Sequence, residues 1–328
     1  MPILLVGSPD KALDIRYRTG FAAPDAVVYL EDRRQKHLVV SVLELGRAKR
    51  VAAGITVWSP ADLKIAFKDR GSILSWILAL LRHLGISSVI VAPDFAFGIV
   101  KKLIKSGIHV CISKGALFPQ RQIKTAEELK NIRQSQEAAI HAMHSAIEAI
   151  EHAHIDRFGY LRSGRILLTA ERIRLLINQR LLDHNCFCQD TIVACGKCAA
   201  DPHEMGTGPL SAGESIVIDI FPRNMKHGYC GDLTRTIVKG KASADLKKMY
   251  NAVREAQKNA LAKVKAGVSA ALVHKAACAV FKNHGLATGI VNRKPHGFIH
   301  NTGHGVGLAI HEAPAIGRQP ISLASGNV

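Results

Sequence analysis

The sequence predicts an α/β domain followed by a larger α+β domain. Three observations carry this. Residues 1 to about 118 alternate short β-branched runs with apolar-periodic helical stretches. The segment ALFPQRQIK, containing Pro119, interrupts that alternation and reads as a linker. Beyond it lie long helical patterns around runs that alternate apolar and polar residues, as in a mainly antiparallel sheet. The expected domains are residues 1–119 and 120–328.

In the first domain the strand candidates are ILLVG, AVVYLE, HLVVSV, ITVW and SVIVAP, and the helices ILSWILALLRHLG and AFGIVKKLIKSG. The opening MPILLVG is too short and lacks the initial charge of a secretory signal, so it reads as the first strand. The longest apolar run, SILSWILALL, has core-helix length and falls short of the roughly 20 residues of a membrane span. Both readings point to the cytoplasm.

Thr125 opens the second domain. Thr125 and Glu128 form a capping box, and two acids in the first turn suit the helix dipole. The helix is expected to run to about residue 153, with Leu129, Ile132, Ile140, Met143, Ile147 and Ile150 as its apolar stripe. Gln136 is the one break in it. His141, His144, Glu148 and His152 line another stripe, read as a solvated face before a stray metal site. Further helices are expected over 168–183, 244–265 and 270–284.

Between the first and second of these lies SIVIDIFPRNMKHGYCGDLTRTIVKG, which reads as a β-hairpin. Its first run, 215–221, sets Val217, Asp219 and Phe221 on one face. Its second, 229–238, sets Cys230, Asp232, Thr234 and Thr236 on one face. With the loop centred between Met225 and Lys226, Asp219 stands directly opposite Asp232. Facing Cβ atoms lie roughly 4.5–5.5 Å apart, where like charges destabilise. Two buried acids so close need a cation between them, whereas an exposed hairpin would let them splay into water. Downstream, GFIHNTGHGVGLAIHEAPAIG carries His300, His304 and His311 among glycines. Neutral imidazole is a common transition-metal ligand, and the run lacks the Lys-Ser/Thr of a phosphate loop.

These residues carry a resemblance. DIFP…GYCGDLTRT followed by HNTGHGVGLAIHEAP resembles the pita-bread metallopeptidases, the family of aminopeptidase P, prolidase and methionine aminopeptidase. IVACGKCAADPHEMGTGPLSAGESIVIDI is similar to the family's histidine loop and first-aspartate strand. SPDKALDIRYRTGF and KHLVVSVLELGRAKR resemble the creatinase-like N-terminal domain of the aminopeptidase P and prolidase branch. The implied fold is an α/β creatinase-like domain plus an α+β pita-bread catalytic domain. The resemblance implies that Asp219 binds one metal, that Asp232 bridges, and that His304 binds the other metal. His203 and His311 are implied as catalytic histidines that contact substrate and the tetrahedral intermediate. His300 is implied near the substrate pocket, and Thr234, two residues past Asp232 on the same strand face, is expected to donate a hydrogen bond to the acids.

Two departures stand out. The hairpin is two residues longer than the family's commonest form, which preserves parity. The family completes its site with two glutamates after the histidine ligand, and the chain runs to Val328 without them. Glu312 is a poor substitute. The expectation is therefore a catalytic domain lacking its last strands, with at most partial occupancy by the family's two divalent ions (Mn, Co or Zn) and weak or no activity. A fragment, a frameshifted product and an incomplete gene model all fit that ending. The implied reaction is metal-assisted hydrolysis of peptides with proline at the second position, in a homodimer. A non-catalytic interaction module on the same fold is the alternative. A creatinase-like, metal-free C–N hydrolase fits less well, because the metal-ligand residues are present.

Composition sets the remaining bounds. Of 328 residues, 48% are apolar and 21% charged, as in soluble globular proteins. The net charge of +18 raises contact with nucleic acid. Its basic residues are dispersed, with no aromatic-interleaved patch, so nucleic-acid and membrane partners are not expected. Seven cysteines argue against a disulfide framework. Cys186, Cys188, Cys195 and Cys198 cluster in sequence, and a zinc site there is the less favoured reading.

Overall fold

A computed structural model describes residues 1–291 and 293–328. Contacts divide the chain into Met1–Arg121 and Gln122–Val328.

The first unit runs β1 (Ile3–Gly7), α1 (Leu13–Thr19), β2 (Val27–Glu31), β3 (Lys36–Val39), α2 (Leu45–Val51), β4 (Thr56–Trp58), α3 (Ile73–Leu84), β5 (Ser88–Val91), α4 (Phe97–Lys105) and β6 (His109–Ile112). Its six strands form one mixed sheet in the order β4-β3-β2-β1-β5-β6. Leu4, Val28, Leu30 and Val89 bury one face beneath Trp76, Ile77, Leu80 and Leu81 of α3. Leu5, Tyr29 and Leu38 bury the other beside Ile15 and Phe21. Covering both faces explains why these strands read as continuous apolar runs rather than alternations. Ser72 caps α3 by accepting from the Ser75 amide, and Gly85 ends it in the left-handed region.

At the end of β2 the Glu31 carboxylate accepts from Arg18 Nε at 2.8 Å and from the Tyr29 hydroxyl at 2.7 Å. Burial alone would raise this carboxyl, but the bonds from Arg18 and Tyr29 outweigh it and hold it below the usual range. A depressed folded-state pKa adds stability above the unfolded value, near 4.5. That stability is lost as pH falls through the folded value. Glu31→Gln is expected to cost roughly 1–3 kcal/mol at neutral pH, and the deficit should shrink below about pH 4.5. Urea midpoints of both proteins from pH 7 to pH 3 check this. A deficit constant over the whole range would mean the charge contributes nothing.

The second unit opens with α5 (Ala126–Glu151), whose capping box is complete: each of Thr125 and Glu128 accepts from the other's amide. The small strands β7 (His154–Ile155), β8 (Leu161–Ser163) and β9 (Ile166–Leu167) lead to α6 (Ala170–Asp183) and β10 (Cys186–Phe187). Then come β11 (Ile192–Cys195), β12 (Ile216–Ile220), β13 (Arg223–Asn224) and β14 (Leu233–Ile237). Strands β11, β12 and β14 form an antiparallel sheet with β12 central. Ile216, Ile218 and Ile220 are fully buried against a face of α5 built largely from Ala138, Ala139, Ala142 and Ala146. Each such isoleucine contributes roughly 1.5–3 kcal/mol, and the alanines let helix and sheet approach closely. The expected stripe on α5 is corrected at two positions. Leu129 and Ile140 turn outward, 39% and 38% exposed, because Ser135 and the alanines occupy the buried face instead.

Helices α7 (Ala244–Leu261) and α8 (Ala270–Asn283) share a core of Ala256, Ala260, Val273, Ala277 and Val280. Two hairpins follow: β15 (Gly289–Val291) with β16 (Lys294–His296), and β17 (Gly303–Gly305) with β18 (Glu312–Ile316). No helix among the described residues is long and apolar enough to cross a membrane.

Candidate metal centre

The alternation on β12 sends its isoleucines to α5 and leaves Val217 and Asp219 on the opposite face. The register of the partner strand corrects the expectation. Asp219 pairs with Thr234, not Asp232, and Ile220 pairs with Leu233. The turn is centred one residue later than expected. Asn224 Oδ1 accepts from the amides of Lys226 and His227, and the Asn224 amide donates to the Tyr229 carbonyl. This side-chain turn moves the pairing by two residues, which keeps parity. Asp232 therefore stands just before β14, diagonal to Asp219 on the same face. Thr234 Oγ1 donates to Asp219 Oδ1.

The two acids feel each other. Asp232 is pushed up to about 6, first by burial and then by the charge of Asp219, and His304 offsets this only in part. Burial also raises Asp219, against the Thr234 hydrogen bond and the nearby imidazoles of His304 and His311. His304 on β17 faces them, its Nε2 lying 3.4 Å from Asp232 Oδ2. Its Nδ1 lies 3.1 Å from the Gly305 carbonyl. A proton on Nδ1 donates to that carbonyl and leaves the Nε2 lone pair directed at the acids, the usual preparation of a metal-binding imidazole.

The His311 ring meets His304 edge-on, with centroids 4.2 Å apart. Burial, then His304 and His203, lower its pKa, so a neutral imidazole faces the site. His203 is exposed in the loop after β11, where its amide donates to Asp201 Oδ1 at 3.1 Å. The structure thus brings Asp219, Asp232, His304, His311 and His203 into one neighbourhood. His300 is placed differently. Its Nδ1 meets the Asn301 carbonyl at 2.7 Å and its ring packs edge-on to Phe298.

The donor chemistry fits a divalent cation: two carboxylates destabilised by burial and mutual repulsion, and an imidazole with its free nitrogen turned toward them. Among the described residues no three His, Cys, Asp or Glu side chains close into a ligand cage, so Asp219, Asp232 and His304 supply suitable donor types without closing around an ion. Glu312 is engaged elsewhere. Its Oε2 lies 3.0 Å from Lys124 Nζ, and its Oε1 accepts from the Ala309 amide. This buried ion pair, with side chains 1% and 8% exposed, braces the loop that carries His311. The sequence-clustered cysteines are spread over separate contacts: Cys186 accepts from Asn224, Cys195 from the Ser211 amide, and Cys198 is exposed.

Sequence reasoning missed the supports on α5. Gln136 Oε1 accepts from the Asp232 amide at 2.9 Å, and Ser135 Oγ donates to the Tyr229 carbonyl at 2.8 Å. The Tyr229 hydroxyl donates to Glu128 at 2.9 Å. The signal was present in the break that Gln136 makes in the apolar stripe.

The family model for metallopeptidase family M24 matches residues 130–328. The chain is 33% identical over 197 residues to the Xaa-Pro dipeptidase of Pyrococcus furiosus, covering 60% of this chain and 50% of that relative. It is 29% identical over 235 residues to the Xaa-Pro dipeptidase of Pyrococcus horikoshii, covering 71% and 61%. These matches span half to about three fifths of the relatives' length. Among solved structures, the prolidase of Pyrococcus furiosus superposes with a TM-score of 0.78 at 24% identity, over 99% of this chain and 86% of that one. The X-Pro aminopeptidase of Thermotoga maritima gives 0.80 at 21% identity, over 99% and 85%.

Proposed function

Because the chain belongs to metallopeptidase family M24 and has the pita-bread fold, we propose that it is a hydrolase of Xaa-Pro peptides. The observation that carries this is the Asp219–Asp232–His304 arrangement, in which Asp232 is raised to about 6 beside a second acid. Asp219, Asp232 and His304 would hold the metal. A bound Mn, Co or Zn ion supplies Lewis acidity to water and to the scissile carbonyl. His311, held neutral, and His203 would hydrogen-bond the substrate and the charge that develops on its carbonyl oxygen. Thr234 orients Asp219, and Gln136 fixes the backbone at Asp232. His300 beside Phe298 would contact the substrate's body. The substrate is a peptide with proline second, and the working form is a cytoplasmic homodimer.

A second reading, an interaction module on this fold, is favoured by the lack of a closed ligand cage among the described residues. One experiment separates the two. The chelated chain is titrated with Mn²⁺, Co²⁺ or Zn²⁺ by calorimetry and assayed on Xaa-Pro dipeptides and longer Xaa-Pro peptides. Metal uptake with metal-dependent release of the first residue is expected. No uptake and no cleavage would overturn the hydrolase.

A further inference from the structure

Helix α8 carries a second group of reactive side chains, made from residues that the peptidase reading leaves unused. His274 and Cys278 are one turn apart, and Cys278 Sγ lies 3.5 Å from His274 Nε2. On the other side of the ring, Nδ1 lies 2.8 Å from Thr302 Oγ1. His274 is only 7% exposed, so its ring is fixed between these partners. A nucleophile, a base within hydrogen-bond reach and a third group orienting the base together form the general arrangement of an activated thiol.

The surroundings indicate what such a thiol would meet. His274 and Cys278 line a groove of about 790 Å³ together with Lys275, Lys282, Arg318 and Phe298. None of those three cations has an ion-pair partner among the described residues. Cys111 provides an internal contrast. Its Sγ lies 3.7 Å from His109 Nδ1, but that imidazole is exposed and neither residue lines this groove.

We propose that Cys278, His274 and Thr302 form a thiol-modification site for small anionic disulfides, with Lys275, Lys282 and Arg318 as its anion-binding rim. Cys278 Sγ attacks one sulfur of the disulfide while its proton passes to His274 Nε2. The new S–S bond forms as the old one breaks, and the departing thiolate takes the proton from His274. One thiol is oxidised and half of the small disulfide is reduced. Nearby cations attract the anionic reagent. Burial, followed by the charges of Arg318 and His300, keeps His274 neutral and able to accept the proton.

The full-length chain is treated with limiting 5,5′-dithiobis(2-nitrobenzoate), a dianionic disulfide, and in parallel with the uncharged 4,4′-dithiodipyridine. Acid-quenched samples are peptide-mapped by mass spectrometry. With the dianionic reagent Cys278 is expected to react roughly tenfold or more faster than Cys111. Raising the ionic strength should slow that reaction and leave the uncharged reagent unaffected. His274→Ala should slow Cys278 with both reagents. Lys275→Gln/Lys282→Gln/Arg318→Gln should slow it with the dianionic reagent alone. The wild-type comparison needs no variant to fold. Cys278 reacting no faster than Cys111, or reacting equally with both reagents at every ionic strength, would overturn the proposal. Metal uptake and Xaa-Pro cleavage are separate readouts, so a failure here leaves the peptidase reading standing.

Discussion

Asp232→Asn is expected to stabilise the metal-free chain while removing its response to divalent metal. In the folded protein Asp232 is pushed up to about 6 from an ordinary value of 3.8. A group with a raised folded-state pKa contributes stability that is fully present below the unfolded value and lost as pH rises through the folded one. Above about pH 6 the ionised Asp232 therefore destabilises the metal-free fold, by on the order of 2 kcal/mol. Asparagine keeps the shape, does not ionise and does not repel Asp219. In the presence of chelator, the unfolding midpoint of Asp232→Asn should exceed wild type at pH 7.5. That advantage should disappear as pH falls from about 6 toward 4. Added Mn²⁺ or Co²⁺ should raise the wild-type midpoint and leave the variant unmoved. The expected loss of metal affinity exceeds the roughly 10–100-fold typical for altering a ligand's outer partners. A variant less stable than wild type at pH 7.5 without metal would show that the two carboxylates do not strain the fold.

The opposing effects of that one substitution show which parts of the site were legible in the sequence. Strand parity was legible: a period of two puts Asp219, Asp232 and Thr234 on one face whether or not the turn slips by two residues. The register was not, because Asn224 folds the turn through its own side chain, and hydrophobic alternation carries no information about that choice. Helix α5 was legible from its capping box and length. Its buried face was misassigned because alanine contributes little to an apolar stripe yet allows close packing. Helices α1 and α2 and strand β6 were missed, being short segments without clear periodicity. The convergence of His304 with His311 depends on the β17–β18 pairing across a bulge, which sequence spacing alone does not specify. The Lys124–Glu312 pair joins residues 188 positions apart, a contact that no local pattern announces.

Gly231→Ala is expected to be strongly damaging, although it touches no candidate ligand. A Cβ at this position would lie 2.7 Å from the Gln136 nitrogen and from the carbonyl carbon and oxygen of Ser135. All three are backbone atoms of α5, so no rotamer change relieves the overlap. The helix is itself held, since its alanine face is packed against fully buried isoleucines of β12. The segment at Gly231, just before β14, would have to move instead. Movement there strains three hydrogen bonds at once: the Gly231 amide to the Pro222 carbonyl, the Asp232 amide to Gln136, and Ser135 to the Tyr229 carbonyl. The expected cost is about 1–3 kcal/mol from overpacking, with roughly 1 kcal/mol more for each hydrogen bond lost. Displacing Asp232 by even a fraction of an ångström would also weaken metal uptake. Gln136→Ala, which removes one acceptor without a clash, should show a smaller loss of stability and the same direction of change in metal affinity. Gly303→Ala separates this mechanism from general intolerance near the site. It adjoins His304, yet its Cβ would meet only Ile316 side-chain atoms at an ordinary 3.8 Å, so near-wild-type stability is expected. Thermal midpoints and metal titrations of the three variants decide the matter. If Gly231→Ala matched Gly303→Ala in both, α5 would not be what fixes Asp232.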